Sequence, residues 1–145
     1  MTENAHVDRP EAAPGGEPYE QPPPVQPAGP AMWIAVAIGA MAGASLRYAL
    51  SRWFLDSHDL HMGTLLANVI GSFILGVTVP LAGALRISPR ASALIGTGFC
   101  GALTTFSALA VETVARLDSA YVLIAIATGY GAAVAGLRTG KALVA

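Results

Sequence analysis

Charged residues are scarce in this 145-residue sequence, where only 12% are Asp, Glu, Lys or Arg. A soluble globular domain usually has about a quarter of its residues charged. The net charge of −1 argues against a nucleic-acid-binding surface, and one cysteine, Cys100, cannot form an internal disulfide. Hydrophobic residues make up 54% of the chain, which indicates a membrane protein.

The first thirty residues differ from the rest of the chain. Eight of the ten prolines and five of the nine acidic residues lie between positions 1 and 30. Such a segment has too little apolar surface to bury, so we expect residues 1–30 to be a disordered tail rich in proline and acid. No basic region leads into an apolar core, so a signal peptide is not indicated. We expect residues 31–145 to form one membrane domain.

Four apolar runs follow this tail, and each is near the ~20 residues that cross ~30 Å of hydrocarbon as a helix. The loops are short, so neighbouring helices should be antiparallel. A soluble four-helix bundle would need a polar stripe on every helix, and these runs offer none. The expected fold class is therefore all-α, with four transmembrane helices at about 32–54, 62–85, 91–115 and 120–137.

The basic residues favour one orientation only weakly. With four spans, the N-terminus, the second loop and the C-terminus share one side, and the positive-inside rule makes that side cytoplasmic. The excess of about two charges can be overridden by a partner or by insertion in both orientations. The favoured side carries Arg86, Arg90, Arg138 and Lys141, and the other side carries Arg52 and Arg116.

An unusual stretch, Gly96–Ser107, lies inside the third span and contains three glycines, three threonines and a serine. Each glycine in a helix interior costs roughly 1 kcal/mol relative to alanine, so we predict that the third helix is broken near its middle. Carbonyls freed inside a bilayer need a partner, and unwound carbonyls in transporters coordinate Na⁺. The alternative is a kinked packing helix. A dinucleotide site is excluded because no strand–turn–helix context surrounds the glycines.

Polar residues of the first two spans each have two interpretations. Thr64, Asn68 and Ser72 share one helical face at i, i+4 and i+8. The amide of Asn68 either donates to a ligand or joins helices. Arg47 is either a functional charge inside the membrane or a side chain that reaches the interface. The pattern Gly39–Gly43 is GxxxG, which predicts close helix packing.

Later polar residues are less informative. Phe106 either fills space or turns the positive edge of its ring toward an anion, and Glu112 falls near the end of its span. In the fourth span, Thr128 and Tyr130 are the interior polar residues, and its glycines predict tight packing. The loop 56–61 holds two histidines and two aspartates, but no further ligand is near, so a solvated loop is favoured over a metal site.

Three motifs stand out: GAMAGASLRY at 39–48, GTLLANVIGSF at 63–73 and GFCGALTTFS at 98–107. Taken together, they resemble the Fluc (CrcB-type) fluoride channels. Their order and separation fit from about Trp33 to Glu112, and the fourth span fits only by its length and apolarity. The third motif is the specific one.

The resemblance implies a passive, fluoride-selective channel of the cell membrane that exports fluoride, and not an enzyme. It implies that residues 31–145 form the channel domain and that two subunits pair as an antiparallel dimer within the lipid bilayer. A structural Na⁺ that is not transported would be held at the dimer centre by the backbone carbonyls of Gly101 and Thr104. The implied fluoride pathway contains Asn68, Phe106, Ser107, Thr105 and Ser72, with Arg47 and Glu112 as vestibule or charge positions.

Two positions depart from the family pattern. Leu109 stands where a second phenylalanine is common, and an aliphatic side chain has no positive ring edge. Ala102 stands where many members carry glycine. The chain is therefore expected to act either as a homodimer or as a heterodimer with an inverted homologous subunit that supplies the missing phenylalanine. Thr128 is the candidate for a hydroxyl of the fourth span.

Two other functions compete with the channel. A small four-helix proton-coupled multidrug transporter needs a carboxylate inside its first span, and none is present here. A membrane scaffold that transports nothing explains the glycines. It gives no reason for Asn68 and a threonine-rich break in the same chain.

Overall fold

The structure is a computed structural model that describes residues 29–54, 62–116 and 119–145. Within these ranges all regular secondary structure is helical. The third span is composite, because a π-helical segment joins two short α-helices and a break precedes the last helix. The elements are α1 (Pro30–Trp53), α2 (Met62–Gly83), α3 (Pro89–Ser92), the π-helical segment (Ala93–Cys100), α4 (Gly101–Leu103), α5 (Phe106–Arg116) and α6 (Ser119–Val144).

The prediction of four membrane-spanning helices is confirmed by their length and composition. The fourth helix continues past the predicted end at 137 to Val144 and includes Arg138 and Lys141. Long cationic side chains near a helix end can reach the lipid headgroups, so these charges are compatible with a membrane span. Residues 1–28 and the loop 56–61 lie outside the described residues, and α1 already begins at Pro30. The candidate spans are Pro30–Trp53, Met62–Gly83, Pro89–Val111 and Ala120–Val144.

Helix α1 packs against the π-helical segment through glycines. A Cβ added to Gly39 would collide with the carbonyl of Leu94, and one added to Gly43 would collide with the carbonyl of Phe99. Gly98 of the π-helical segment also packs closely against α1, since its added Cβ would lie 2.5 Å from the Val36 carbonyl oxygen. The packing interpretation of the GxxxG pattern is therefore confirmed.

Helices α2 and α6 form the second close pair. An added Cβ on Gly136 would collide with the carbonyl of Phe73, and one on Gly140 would lie 2.7 Å from the carbonyl oxygen of Val77. Gly131 has open space around it instead. The predicted glycine packing of the fourth span is thus confirmed in its second half.

Two buried clusters hold the two halves of the third span, one against α1 and α2 and the other against α2 and α6. Leu103 of α4 packs with Leu50 of α1 and Ala67 of α2. Leu109 of α5 packs with Leu65 of α2 and with Tyr121 and Ala125 of α6. The interruption of the third span lies between these two anchored halves.

Candidate functional site

The third span is interrupted at Thr104 and Thr105. Thr104 leaves the helical conformation with a ψ of 149°, and α5 begins one residue after Thr105. The predicted break near the middle of this span is confirmed as a bend. The glycines do not form it: Gly96 and Gly98 lie in the widened π-helical turns, a form often found at functional sites.

Asn68 of α2 holds the break through both polar groups of its amide. The Thr105 N–H donates to Asn68 Oδ1 at 2.7 Å, and Asn68 Nδ2 donates to the Thr105 carbonyl at 3.2 Å. The interpretation that Asn68 joins helices is therefore confirmed. An amide has two N–H donors. Thr105 engages one, and no other described residue accepts from the second, which is therefore open to another acceptor.

The side chains at the break complete the local hydrogen bonding. Thr105 Oγ1 accepts from the Ala108 N–H at 3.3 Å, which makes Thr105 the N-cap of α5. Its oxygen also lies 3.2 Å from the hydroxyl oxygen of Ser107. The Thr104 hydroxyl turns back and donates to the Cys100 carbonyl at 3.0 Å. Gly71 makes room for Thr104, because an added Cβ would lie 2.5 Å from its methyl carbon.

Gly101 and Thr104 are among the residues whose carbonyls lose their regular helical donors at this point. In a continuous α-helix the Thr105 N–H would donate to Gly101, and the Ala108 N–H would donate to Thr104. Both N–H groups donate to side chains instead. Gly101 and Thr104 are the residues that the resemblance assigns to Na⁺, and main-chain oxygens of this kind suit that ion. The residues present therefore fit a cation held by backbone carbonyls.

A groove of about 360 Å³ opens beside the break, between α2, α5 and α6. It brings together six of the predicted site residues, and Phe106 stands in it with 75% of its surface exposed. The far wall is formed by residues of α6, none of which was assigned to the site from the sequence. Gly129 was predicted only as a packing glycine and Tyr130 only as an interior polar residue. The predicted residues in the groove are Asn68, Ser72, Thr104, Thr105, Phe106 and Leu109.

A second cavity, of about 550 Å³, lies on the α1 side of the break. It contains Arg47 and Ser107, which are thus separated from the groove, together with Ser51 and Thr64. Thr105 lines both spaces. Thr105 therefore lies at the boundary between the groove and this second space, called the polar cavity below, which contains the cationic side chain of Arg47.

Leu109 is largely buried beside the groove, and Thr128 lies outside both spaces. Leu109 is 5% exposed and packs in a buried cluster, although part of it reaches the groove. The hydroxyl of Thr128 donates to the carbonyl of Ile124 on its own helix at 2.7 Å, and Thr128 lines neither the groove nor the polar cavity. The side chain of Glu112 lies outside what the structure describes.

The sequence matches known proteins over most of its helical part. Residues 34–137 match the family described as CrcB-like protein, Camphor Resistance (CrcB). Three similar relatives have names that describe ion channels. Fluoride-specific ion channel FluC 1 of Streptomyces avermitilis is 39% identical over 120 residues, 77% of this chain and 97% of that protein.

The other two relatives come from different organisms. Fluoride-specific ion channel FluC of Roseiflexus sp. is 41% identical over 113 residues, 74% of this chain and 91% of that protein. The protein of the same name from Methanopyrus kandleri is 49% identical over 90 residues, 61% of this chain and 69% of that protein. The match from 34 to 137 runs through all four candidate spans, and the chain belongs to the CrcB-like family of multi-pass membrane proteins.

Proposed function

We propose that this chain is a passive, fluoride-selective ion channel of the plasma membrane that exports fluoride and so lowers its cytoplasmic concentration. The observation that carries this proposal is the groove, where the Asn68 amide, the hydroxyl side chains of Ser72 and Thr105 and the Phe106 ring line one space at a helix break. The names of the relatives support fluoride as the ion. Conduction needs no catalytic residue, and none is assigned.

The chemistry of the groove suits a small anion. Fluoride holds its hydration shell tightly, so a pore must replace water with strong hydrogen-bond donors. The unused N–H of Asn68 and the hydroxyl of Ser72 are donors of this kind. The edge of an aromatic ring carries partial positive charge, so Phe106 adds a weaker site. Several weak sites in series allow the ion to leave as well as to enter.

The polar cavity on the α1 side supplies an entrance to this groove. Arg47 places a positive charge there, which raises the local concentration of anions. Ser107 lies in the same cavity, and its hydroxyl oxygen is 3.2 Å from that of Thr105. Because Thr105 lines both spaces, the proposed route runs from Arg47 past this hydroxyl pair to Asn68.

A structural Na⁺, which is not transported, is part of this proposal. The main-chain oxygens of Gly101 and Thr104 would hold it, because both have lost their regular helical donors. When bound, Na⁺ supplies a positive charge that offsets the cost of bringing an anion into a medium of low dielectric.

We further propose that the groove is closed by a second subunit inserted the other way round in the bilayer. Phe106 and Tyr130 line the groove, and 75% and 72% of their surfaces are exposed in the single chain. An anion pathway open to lipid would be costly, because polar groups in the membrane face protein or water-filled space. The second subunit is either another copy of this chain or an inverted homologue.

Ion flux from liposomes tests the proposal. Purified protein is reconstituted in vesicles loaded with fluoride or with chloride, and ion release is followed with selective electrodes. We expect fluoride release and chloride retention, while protein-free vesicles retain both ions. Absence of selective fluoride flux, with the chain alone and with a co-expressed homologue, would refute the proposed function.

A further inference from the structure

We propose that Asn68 and Thr105 are positioning residues for the cation. Their side chains capture the two N–H groups that a continuous helix would return to Gly101 and Thr104, and so keep both carbonyls free. This assignment rests on the structural Na⁺ of the proposed function. It adds which side chains create the site, although neither side chain would contact the ion.

Asn68 frees the carbonyl of Gly101. The Thr105 N–H lies 2.7 Å from Asn68 Oδ1, a short and well-formed hydrogen bond. If that oxygen were absent, the N–H would either go unpaired, which is unfavourable in a bilayer, or return to the Gly101 carbonyl. Return of the N–H to Gly101 would extend the helix through the break, and the Gly101 carbonyl oxygen would no longer be available to the cation.

Thr105 frees the carbonyl of Thr104 in the same way. Its hydroxyl oxygen accepts the Ala108 N–H at 3.3 Å as the N-cap of α5. Thr104 does not compete as a capping residue, because its own hydroxyl is directed to Cys100. Without the Thr105 hydroxyl, the regular acceptor for the Ala108 N–H is the Thr104 carbonyl.

Asn68 therefore has one task at each of the two proposed ion sites. Its Oδ1 holds the cation carbonyl open, while the same side chain lines the groove. Different substitutions separate these two tasks. Asn68→Asp keeps an acceptor for the Thr105 N–H but places an acid in the groove, whereas Asn68→Leu keeps a side chain branched at Cγ and removes the acceptor.

Thermal unfolding of the purified protein tests this assignment without measuring flux. The unfolding midpoint is recorded across a Na⁺ series in which N-methylglucamine keeps the ionic strength constant. Na⁺ that binds the folded state raises the midpoint. We expect Asn68→Leu and Thr105→Val to need about 10- to 100-fold more Na⁺ for the same rise, the usual effect of losing a residue that orients metal ligands. Thr105→Ser should restore the wild-type response, and Asn68→Asp should retain it.

Two matched controls separate this effect from general destabilisation. Ser88→Ala removes another N-cap, in which the Ala91 N–H donates to Ser88 Oγ at 3.2 Å outside the two cavities. Thr139→Val removes a hydroxyl that donates to the Ala135 carbonyl of its own helix at 3.0 Å. Both are expected to leave the Na⁺ dependence unchanged, whatever their effect on the midpoint itself.

The results separate two claims, that the protein binds Na⁺ and that Asn68 and Thr105 position its ligands. A wild-type protein whose midpoint ignores Na⁺ would remove the cation from the proposed function, and this assignment with it. A wild type that responds, with Asn68→Leu and Thr105→Val responding at the same Na⁺ concentrations, would overturn the assignment alone. If Asn68→Leu does not fold, the comparison of Thr105→Val with Thr105→Ser decides.

Discussion

Among single residues, the spacing around Asn68 predicts its helical face but not its hydrogen-bond partner. Its position with Thr64 and Ser72 on one face of α2 follows from helical periodicity. Its partner, Thr105, is 37 residues away in sequence, and no local pattern identifies it. The sequence alone therefore did not decide whether the amide donates to a ligand or joins two helices. The structure confirms the link between helices, and the unused N–H leaves room for the anion in the proposed pathway.

Asn68→Asp is expected to reduce fluoride flux at least about tenfold. The substitution removes the donor to the Thr105 carbonyl and puts negative charge in the groove, where like charge repels the anion. The liposome flux assay measures the effect, with Thr139→Val as a variant remote from the break. A fully active Asn68→Asp protein would show that the amide serves packing alone.

Leu109→Phe is expected to lower the free energy of unfolding by about 1–3 kcal/mol, the usual cost of adding bulk to a packed core. Leu109 is 5% exposed beside Leu65 and Tyr121. Leu123→Phe is the matched control, because Leu123 is 69% exposed on α6. Chemical denaturation in detergent measures both variants. Unchanged stability with faster fluoride flux in Leu109→Phe would instead place this position in the pore wall.

At the level of elements, the third span is interrupted as predicted, but the glycines are not the residues that interrupt it. The small-residue stretch predicted an interruption, and the span does bend near its middle. Gly98 instead serves contact with α1, since an added Cβ would lie 2.5 Å from the Val36 carbonyl oxygen. The interruption falls at Thr104 and Thr105, because Asn68 accepts the N–H of Thr105 and the Thr105 hydroxyl accepts the N–H of Ala108.

Gly71→Ala is expected to disturb the break from the side of α2. The added Cβ would lie 2.5 Å from the Thr104 methyl carbon, so Thr104 must move. We expect a loss of about 1–3 kcal/mol in unfolding free energy and at least about a tenfold loss of fluoride flux, since Thr104 adjoins the groove.

Gly131→Ala is the control for this prediction, because no atom outside its own helix lies near the added carbon. It should retain stability and flux. Equal behaviour of Gly71→Ala and Gly131→Ala in both measurements would mean that the position of Thr104 does not matter for conduction.

For the whole molecule, the number of spans constrains assembly. Four candidate spans place both ends of the membrane domain on one side of the bilayer. Two copies fused end to end would thus insert in the same orientation. A linker that contains one additional transmembrane helix would invert the second copy, which is the arrangement that we propose for the channel.

The fusion with the added transmembrane helix is therefore expected to conduct fluoride, and the fusion with a short polar linker is expected to be inactive. Flux per reconstituted protein is the measurement. Cross-linking verifies that fused chains do not pair with other fusions. Strong flux from the short-linker fusion, with no pairing between fusions, would contradict antiparallel assembly.

The sequence by itself determined the membrane class, the number of spans, the existence of an interruption and most residues that gather around it. These follow from local quantities, namely the length of apolar runs, helical periodicity and the resemblance of three short motifs. Tertiary structure decided the residue at which the third span breaks, the separation of Arg47 and Ser107 from the groove, and the burial of Leu109. Each depends on which distant backbone or side chain competes for an N–H group or for space, and such competition is settled only when the helices pack.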